Sequence, residues 1–197
     1  MRIEFWIDYL CPVTYLTHKN LIDAINELGI KGYELYYRSF QLNDQELNQL
    51  KENRSFDDLL TTHKLKLKEF STTTIHQVAH LAKRNDVSQI FAEKVLNEIF
   101  INDHDYITDE KVSKIAKECG LDPENVKTVI ETHCYSKQID SNKINAKNRG
   151  IDKVPHIRVN MKHNLIGYQE KEAIKIFLKE ILEKQPKTEV CGEYCDY

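Results

Sequence analysis

Apolar and polar residues alternate over residues 3–8, beginning with Ile3, and this period of two predicts a β-strand. From Pro12 onward the apolar positions recur at helical spacing, until Gly29 provides a residue that commonly ends a helix. Residues 33–40 are rich in strand-forming side chains and predict a second strand. A strand, a helix and a strand in this order favour parallel pairing with a right-handed crossover.

The pattern changes over residues 43–149, which carry helical periodicity but no convincing strand. Helices are predicted to begin near residues 55, 74, 88, 108, 122 and 136. Ser55 is the expected N-cap of the first of these helices, and Pro123 suits the first turn of the fifth. This segment therefore predicts an all-helical insertion between two strand-containing parts of the chain.

The strand pattern returns after Gly150. Residues 156–161 alternate, residues 162–164 predict a turn, and residues 165–166 predict a short partner strand, so a hairpin is expected. An amphipathic helix is predicted over residues 170–183. The complete order is β-α-β, a helical insertion, then β-β-α. It predicts an α/β fold in which a four-stranded sheet packs against helices.

Composition narrows the classes of function. Lys and Arg number 28 against 31 Asp and Glu, a net charge of −3, so no basic bias indicates nucleic acid or a membrane surface as a partner. The sequence contains no run of 18 apolar residues, so no membrane span is predicted. The first residues lack the basic start and long apolar core of a signal peptide, so we expect a cytoplasmic protein with reduced thiols. Five cysteines then indicate catalytic, metal-binding or buried thiols rather than a disulfide framework.

Cys11 is the strongest candidate for chemistry because it lies where the first strand ends and the first helix begins. The free N–H groups and positive dipole end of a helix favour a thiolate, so we expect a reactive cysteine with a pKa well below ~8.5. The alternative is an inert buried thiol. Thr14 occupies the position of the second cysteine of a redox Cys-x-x-Cys pair. Its hydroxyl either donates to the thiolate or simply replaces a lost cysteine.

Three further residues are candidates for the same site. Pro155, which follows Val154, is either a proline tolerated at the first residue of a strand or a cis-proline that faces Cys11. Near the C-terminus, Cys191 and Cys195 are separated by three residues, which is not a standard zinc spacing, and no metal site is predicted. They form a redox pair, resolve Cys11, or have no role.

The chain resembles the DsbA-like thioredoxin-fold family, most closely its FrnE-type cytosolic branch, over nearly its whole length. The resemblance rests on the order and spacing of four short segments, which are residues 7–12 (Ile-Asp-Tyr-Leu-Cys-Pro), residues 40–42 (Phe-Gln-Leu), residues 115–116 with 120–122 (Ile-Ala and Gly-Leu-Asp) and residues 150–155 (Gly-Ile-Asp-Lys-Val-Pro).

This resemblance implies a thioredoxin-like fold with a large all-helical insertion after the second strand. Residues 1–42 and 150–184 would form the thioredoxin-like domain, residues 43–149 the insertion domain, and residues 185–197 a tail that contains cysteines.

Within that fold, the resemblance implies that Cys11 is the attacking cysteine and Pro155 the cis-proline beside it. Pro12, Val13 and Val154 would contact substrate, the last through its backbone groups. Thr14 departs from the family pattern, which puts the usual dithiol cycle in doubt.

The expected activity is thiol–disulfide exchange on protein or small-molecule substrates, in which Cys11 forms a mixed disulfide. Release then needs a substrate thiol, a small thiol such as glutathione, or the Cys191 and Cys195 pair, and no bound cofactor is expected. Two alternatives stay open. Kappa-class glutathione transferases and hydroxychromene carboxylate isomerases share this fold and insertion, although they usually have serine at the position of Cys11. A non-catalytic adaptor that delivers client proteins to a protease is the other.

Overall fold

The computed structural model describes residues 1–102, 104 and 106–184. Its strands are β1 (Arg2–Ile7), β2 (Glu34–Ser39), β3 (His156–Val159) and β4 (His163–Ile166). They form a four-stranded sheet in the order β2-β1-β3-β4. The β1–β2 pair is parallel, and the other two pairs are antiparallel. The predicted parallel unit and the C-terminal hairpin are therefore both confirmed.

The helices of the described residues are α1 (Pro12–Glu27), α2 (Asp44–Lys51), α3 (Arg54–His63), α4 (Thr73–Arg84), α5 (Ser88–Phe100), α6 (Asp109–Glu118), α7 (Pro123–Thr132), α8 (Ser136–Asn148) and α9 (Lys171–Glu183). The structure therefore confirms an all-helical segment between β2 and β3. None of these helices combines the length and apolar character that crossing a membrane requires, within the described part of the chain.

Two local predictions within the insertion are corrected. The N-cap of α3 is Asn53 rather than Ser55, because the Asn53 side chain accepts the Phe56 backbone N–H at 3.2 Å. The short helix α2 was not predicted as a separate element. Its N-cap, Asn43, exchanges two hydrogen bonds with Glu46 in a capping box, a signature visible in the sequence.

The hairpin turn is also displaced from its predicted position. The strand β4 begins at His163, a residue that the sequence pattern assigned to the turn. The turn comprises residues 160–162, so Lys162 lies in it as predicted, and Asn160 and Met161 precede Lys162 with positive φ angles. Asn tolerates that region better than most residues, and Met is exposed there.

One apolar core joins the sheet to the insertion. Ile3, Phe5 and Ile7 of β1 belong to the same buried cluster as side chains of α1 and α9, and this cluster continues into α4, α5, α6 and α7. Burial of this continuous surface supplies the main driving force for holding the insertion against the sheet. The predicted division of the chain into domains stays a prediction, since the two parts share this core.

Candidate active site

Cys11 is the N-cap of α1, with Pro12 at the first helical position, as the sequence predicts. The Cys11 backbone N–H donates to the Asp8 carbonyl at 3.4 Å. The Cys11 carbonyl accepts the Thr14 N–H at 2.9 Å. Two hydrogen-bonded turns therefore fix the backbone of Cys11 at the junction between β1 and α1.

The thiol of Cys11 is completely buried, with 0% of the residue exposed. It belongs to an apolar cluster with Val13, Phe56 and Leu60. We call Phe56 and Leu60 of α3 the apolar cover. The apolar cover belongs to the helical insertion. Residues from the insertion therefore pack in the same cluster as Cys11, which lies between β1 and α1. Because no part of Cys11 is exposed, another molecule can reach its sulfur only after neighbouring side chains move.

Burial changes the expected acidity of the thiol. Desolvation raises the pKa of Cys11 to about 11, although the polar groups that follow it, the N–H groups of Thr14 and Val13 and the Thr14 hydroxyl, lower it. The negative charge of Asp8 raises it further. The predicted low pKa is therefore wrong for the protein in this covered conformation, because loss of water outweighs the helix N-terminus.

Thr14 lies three residues after Cys11, in the first turn of α1. Its hydroxyl is fully buried and has no hydrogen-bond partner among the described residues. It lowers the pKa of Cys11 because it stabilises the thiolate more than the thiol. Thr14 is therefore a candidate donor to an ionised Cys11.

The peptide bond between Val154 and Pro155 is cis, as one of the two interpretations of the sequence expects. In the antiparallel β1–β3 pair, Trp6 lies opposite His156, so the cis bond comes next along β3 toward the end of β1 that leads to Cys11. The Pro155 carbonyl accepts the Gly167 N–H at 2.8 Å, which ties this loop to the residue after β4.

A cavity of about 380 Å³ is lined by Val13 and Phe56, two members of the cluster that contains Cys11. Val13 and Val154 both line it, so two of the three predicted substrate-contacting residues share one space, whereas Pro12 is not part of the lining. The other lining residues come from α2, α3 and the loops beside β3 and β4, and they are Leu42, Glu46, Gln49, Leu50, Asn53, Ser55, Phe56, Leu59, Asp152, Lys153, Gly167 and Tyr168. An apolar interior with charged and amide groups suits a small peptide-like molecule.

The contribution of α2 and α3 to this cavity was not predicted. The amphipathic pattern of α3 predicts a helix, but it does not specify which part of the sheet that helix covers, and α2 was not predicted at all. A capping box at Asn43 and the cluster of leucines after it are the only local signals in this stretch, and both are structural.

A buried carboxylate–imidazole pair lies behind the thiol and was also missed. Asp8 and His76 are both fully buried, and the His76 Nε2 is 3.3 Å from the Asp8 Oδ1. The other carboxylate oxygen of Asp8 accepts the Leu42 backbone N–H at 2.6 Å. The ring of Tyr9 packs edge-on against His76. Asp8 and His76 are 68 residues apart, so no local motif signals their contact.

The remaining cysteines lie away from this cluster. Cys119 is buried at the end of α6, whereas Cys134 is exposed. Cys191 and Cys195 lie outside the described residues. Within residues 1–102, 104 and 106–184, no group of three or more His, Cys, Asp or Glu side chains is arranged to hold a metal ion.

Comparison with known proteins is consistent with this arrangement. The family model described as the DSBA-like thioredoxin domain matches residues 2–179. No curated protein matches the sequence significantly. Among solved structures, a probable DsbA oxidoreductase from Streptomyces coelicolor superposes with a TM-score of 0.75 at 19% identity, covering 100% of this chain and 96% of that one.

Two other solved structures are informative. The cytosolic disulfide reductase DsbM from Pseudomonas aeruginosa, solved with GSH, gives a TM-score of 0.63 at 12% identity, covering 93% of this chain and 100% of that one. A 2-hydroxychromene-2-carboxylate isomerase gives a TM-score of 0.64 at 14% identity, covering 93% and 94% respectively. At these identities the likeness shows a shared fold.

Proposed function

Because this chain belongs to the DSBA-like thioredoxin domain family, we propose that it acts as a thiol–disulfide oxidoreductase through the single thiol of Cys11. The observation that carries the proposal is the position of Cys11 as N-cap of α1, with Pro12 at the first helical position and the Thr14 hydroxyl one turn further along the helix. A cysteine at a helix N-terminus is suited to nucleophilic attack once it is hydrated. The proposal includes a role for Thr14 as donor to the thiolate.

The proposed cycle has two exchanges. The Cys11 thiolate attacks one sulfur of a substrate disulfide, the substrate S–S bond breaks, and the other sulfur leaves as a thiolate. A second thiol then attacks the mixed disulfide at its substrate sulfur and releases Cys11. With glutathione in both roles, a glutathionylated substrate and one further GSH give the free substrate thiol and glutathione disulfide, so electrons balance without a bound cofactor.

The cavity lined by Val13 and Phe56 supports a small peptide-like disulfide as substrate. Its apolar side is formed by Val13 and Val154, and Lys153 and Asp152 bring opposite charges to it. Glutathione carries both an ammonium and carboxylates, so both charges have a counterpart. The glutathione-bound DsbM structure supports the same class of co-substrate, and its description as cytosolic supports a cytoplasmic, FrnE-like role for this chain.

The test is a turnover assay with a glutathionylated peptide, GSH and the full chain. We expect the wild-type protein to release the peptide thiol and to carry a glutathione adduct on Cys11 by mass spectrometry. Cys11→Ser should abolish both. Cys119→Ser provides the matched control, because it removes a buried thiol outside the cluster and should retain turnover.

Full turnover by Cys11→Ser would overturn the proposal. Retention of a biological function by that variant, without any turnover in the wild type, would instead support the adaptor alternative.

A release step through the tail is a separate hypothesis. Replacing both Cys191 and Cys195 with serine should leave GSH-dependent turnover unchanged if the external thiol releases Cys11. Loss of turnover, together with a disulfide between Cys11 and either tail cysteine in the wild type, would assign release to the tail.

A glutathione-dependent isomerase is the second candidate. The superposition on 2-hydroxychromene-2-carboxylate isomerase and the polar groups of the cavity favour it. In that case glutathione would bind tightly to Cys11→Ser, no Cys11 adduct would form, and isomerisation of an aromatic oxo acid would persist. The presence of cysteine where those enzymes usually have serine favours thiol exchange.

A further inference from the structure

The buried pair of Asp8 and His76 has no part in the exchange chemistry described above, yet it adjoins the reacting thiol. Asp8 is hydrogen-bonded both to Cys11 and to His76. Its backbone carbonyl accepts the Cys11 N–H at 3.4 Å, and its carboxylate lies 3.3 Å from the His76 Nε2. A fully buried charge is costly unless hydrogen bonds or an opposite charge compensate it.

The tautomer of His76 follows from its partner. A carboxylate only accepts hydrogen bonds, so the neutral imidazole carries its hydrogen on Nε2, which faces Asp8. The opposite ring nitrogen, Nδ1, is buried and has no hydrogen-bond partner among the described residues. His76 therefore has a free basic nitrogen, and a proton bound there would place an imidazolium against the Asp8 carboxylate.

A small cavity, with about 10 Å³ open to the centre of a water molecule, is lined by both His76 and His80. His80 follows His76 by one helical turn and is partly exposed. Lys83 and Arg38 line the same cavity.

We propose that His76 binds a proton when Cys11 loses one, and that Asp8 is the positioning residue that couples the two groups. The proposal rests on the proposed function, since it concerns the activation of Cys11. The S–H bond of Cys11 breaks, its electron pair stays on sulfur, and the Nδ1 of His76 binds one proton that reaches it through water. The total number of protons on the protein is unchanged.

The charges around Cys11 explain why this exchange favours the thiolate. Asp8 alone opposes a thiolate, and its charge raises the pKa of Cys11. An imidazolium beside Asp8 cancels that charge and leaves the thiolate next to a neutral pair. The other ionisable groups that face the pair are Tyr9, Tyr37, His80, Lys83 and Arg38. Burial raises the pKa of both tyrosines and lowers the pKa of His80 to about 4, so none of these three adds a charge near neutral pH.

The experiment measures alkylation of Cys11 by iodoacetamide against pH in the full reduced chain, with the Cys11 peptide quantified by mass spectrometry. A thiolate paired with an imidazolium has the same proton count as the neutral pair, so its population does not change with pH. The wild-type rate should therefore be flat over about one pH unit near neutrality and rise roughly tenfold per unit above it.

Two variants remove the coupling in different ways. His76→Gln keeps an N–H donor for Asp8 but cannot take up a proton, so the flat region should disappear. Asp8→Asn keeps an acceptor for Leu42 but removes the charge, so the flat region should also disappear while the rate at pH 8 increases roughly tenfold. Asp122→Asn, which changes another carboxylate that accepts a backbone N–H, is the control and should keep the wild-type profile.

A flat region that persists in His76→Gln, or an Asp8→Asn rate equal to that of the wild type, overturns the proposal. If either variant fails to fold, an NMR titration of His76 in the wild type still decides. The midpoint should shift when Cys11 is blocked by alkylation, and an unchanged midpoint overturns the proposal. None of these measurements needs turnover, so failure of the oxidoreductase activity is detected separately.

Discussion

Phe56 and Cys11 belong to one apolar cluster although 45 residues separate them (56 − 11), and Phe56 is only 8% exposed. This relationship decides the resting state of the thiol. The position of Cys11 at the N-terminus of α1 favours its thiolate. The apolar cluster around it disfavours the thiolate, because it removes the water that would solvate the charge. The thiol is therefore buried at rest, and the proposed exchange requires that Cys11 becomes accessible.

Removing the cover should activate the thiol. Phe56→Ala lets water reach Cys11, and because burial is the largest cause of its raised pKa, we expect the pKa to fall by about one unit and alkylation at pH 8 to accelerate roughly tenfold. Stopped-flow alkylation measures this directly. Phe177→Ala, which removes a ring that contacts His163 outside this cluster, is the control. Equal rates in Phe56→Ala and the wild type would show that the cover does not limit access.

Removing the Thr14 hydroxyl should have the opposite effect. A hydrogen bond to a charged group contributes ~1.5–3 kcal/mol, so Thr14→Val should raise the pKa of Cys11 by about one unit and slow alkylation roughly tenfold. Thr17→Val is the matched control, because Thr17 is equally buried on α1 and its hydroxyl also has no partner in the described residues. A similar slowing in both variants would indicate a packing effect.

The raised pKa of Cys11 also predicts a loss of stability at alkaline pH. The unfolded thiol ionises near ~8.5, and the folded thiol near about 11. A pKa raised by folding contributes stability that is present below the unfolded pKa and lost as pH rises through the folded pKa. Between these values the free energy of unfolding of the wild type should therefore fall relative to that of Cys11→Ala, by up to ~3 kcal/mol.

Urea unfolding between pH 7 and about 10.5 under reducing conditions tests this dependence. Cys134→Ala removes an exposed thiol and should follow the wild type at every pH. A constant difference between the wild type and Cys11→Ala across this range would contradict the prediction.

A buried carboxylate in β1 should control stability at acid pH. Glu4 is 1% exposed, lies 2.7 Å from Arg38, and also faces Arg2 and Arg149. Burial alone would raise the pKa of Glu4, but the hydrogen bond and charge of Arg38 outweigh it and hold the pKa below its usual value. Glu4→Gln should therefore lower the free energy of unfolding at pH 7 by a few kcal/mol, within the ~3–5 kcal/mol of broken buried pairs.

The pH dependence has a definite sign. A lowered pKa contributes stability above the unfolded value, near ~4.3, and that stability is lost as pH falls through the folded value. The difference between the wild type and Glu4→Gln should thus be constant above pH ~5 and shrink below it. The control is Glu34→Gln, because Glu34 is an exposed carboxylate at the start of β2. This variant should change the free energy of unfolding by less than ~0.5 kcal/mol.

Most of the fold could be predicted from local patterns. The alternation in β1, the helical spacing after Pro12 and the glycine at position 29 each determine an element through adjacent residues, and the structure confirms all three. The turn at Asn160 was placed wrongly and the helix α2 was missed. Short elements contain too few periods to be distinguished from their neighbours.

The candidate site was predicted only in part. Cys11 was placed correctly at a helix start because strand and helix patterns meet there, and the cis bond at Pro155 agrees with the family pattern. The contact between Asp8 and His76 could not be predicted, because it joins residues that only the packing of α4 against the sheet brings together.

The sequence by itself determined the order of the strands and of most helices, the thiol of Cys11 at the start of α1, and the threonine three residues after it, since each depends on residue identity and local periodicity. The tertiary structure decided the solvation and the electrostatic surroundings of that thiol. Phe56 and Leu60 exclude water from it, and Asp8 and His76 set the charge behind it. Solvation and buried charge depend on which distant segments pack together, and for that reason they reversed the acidity expected from sequence.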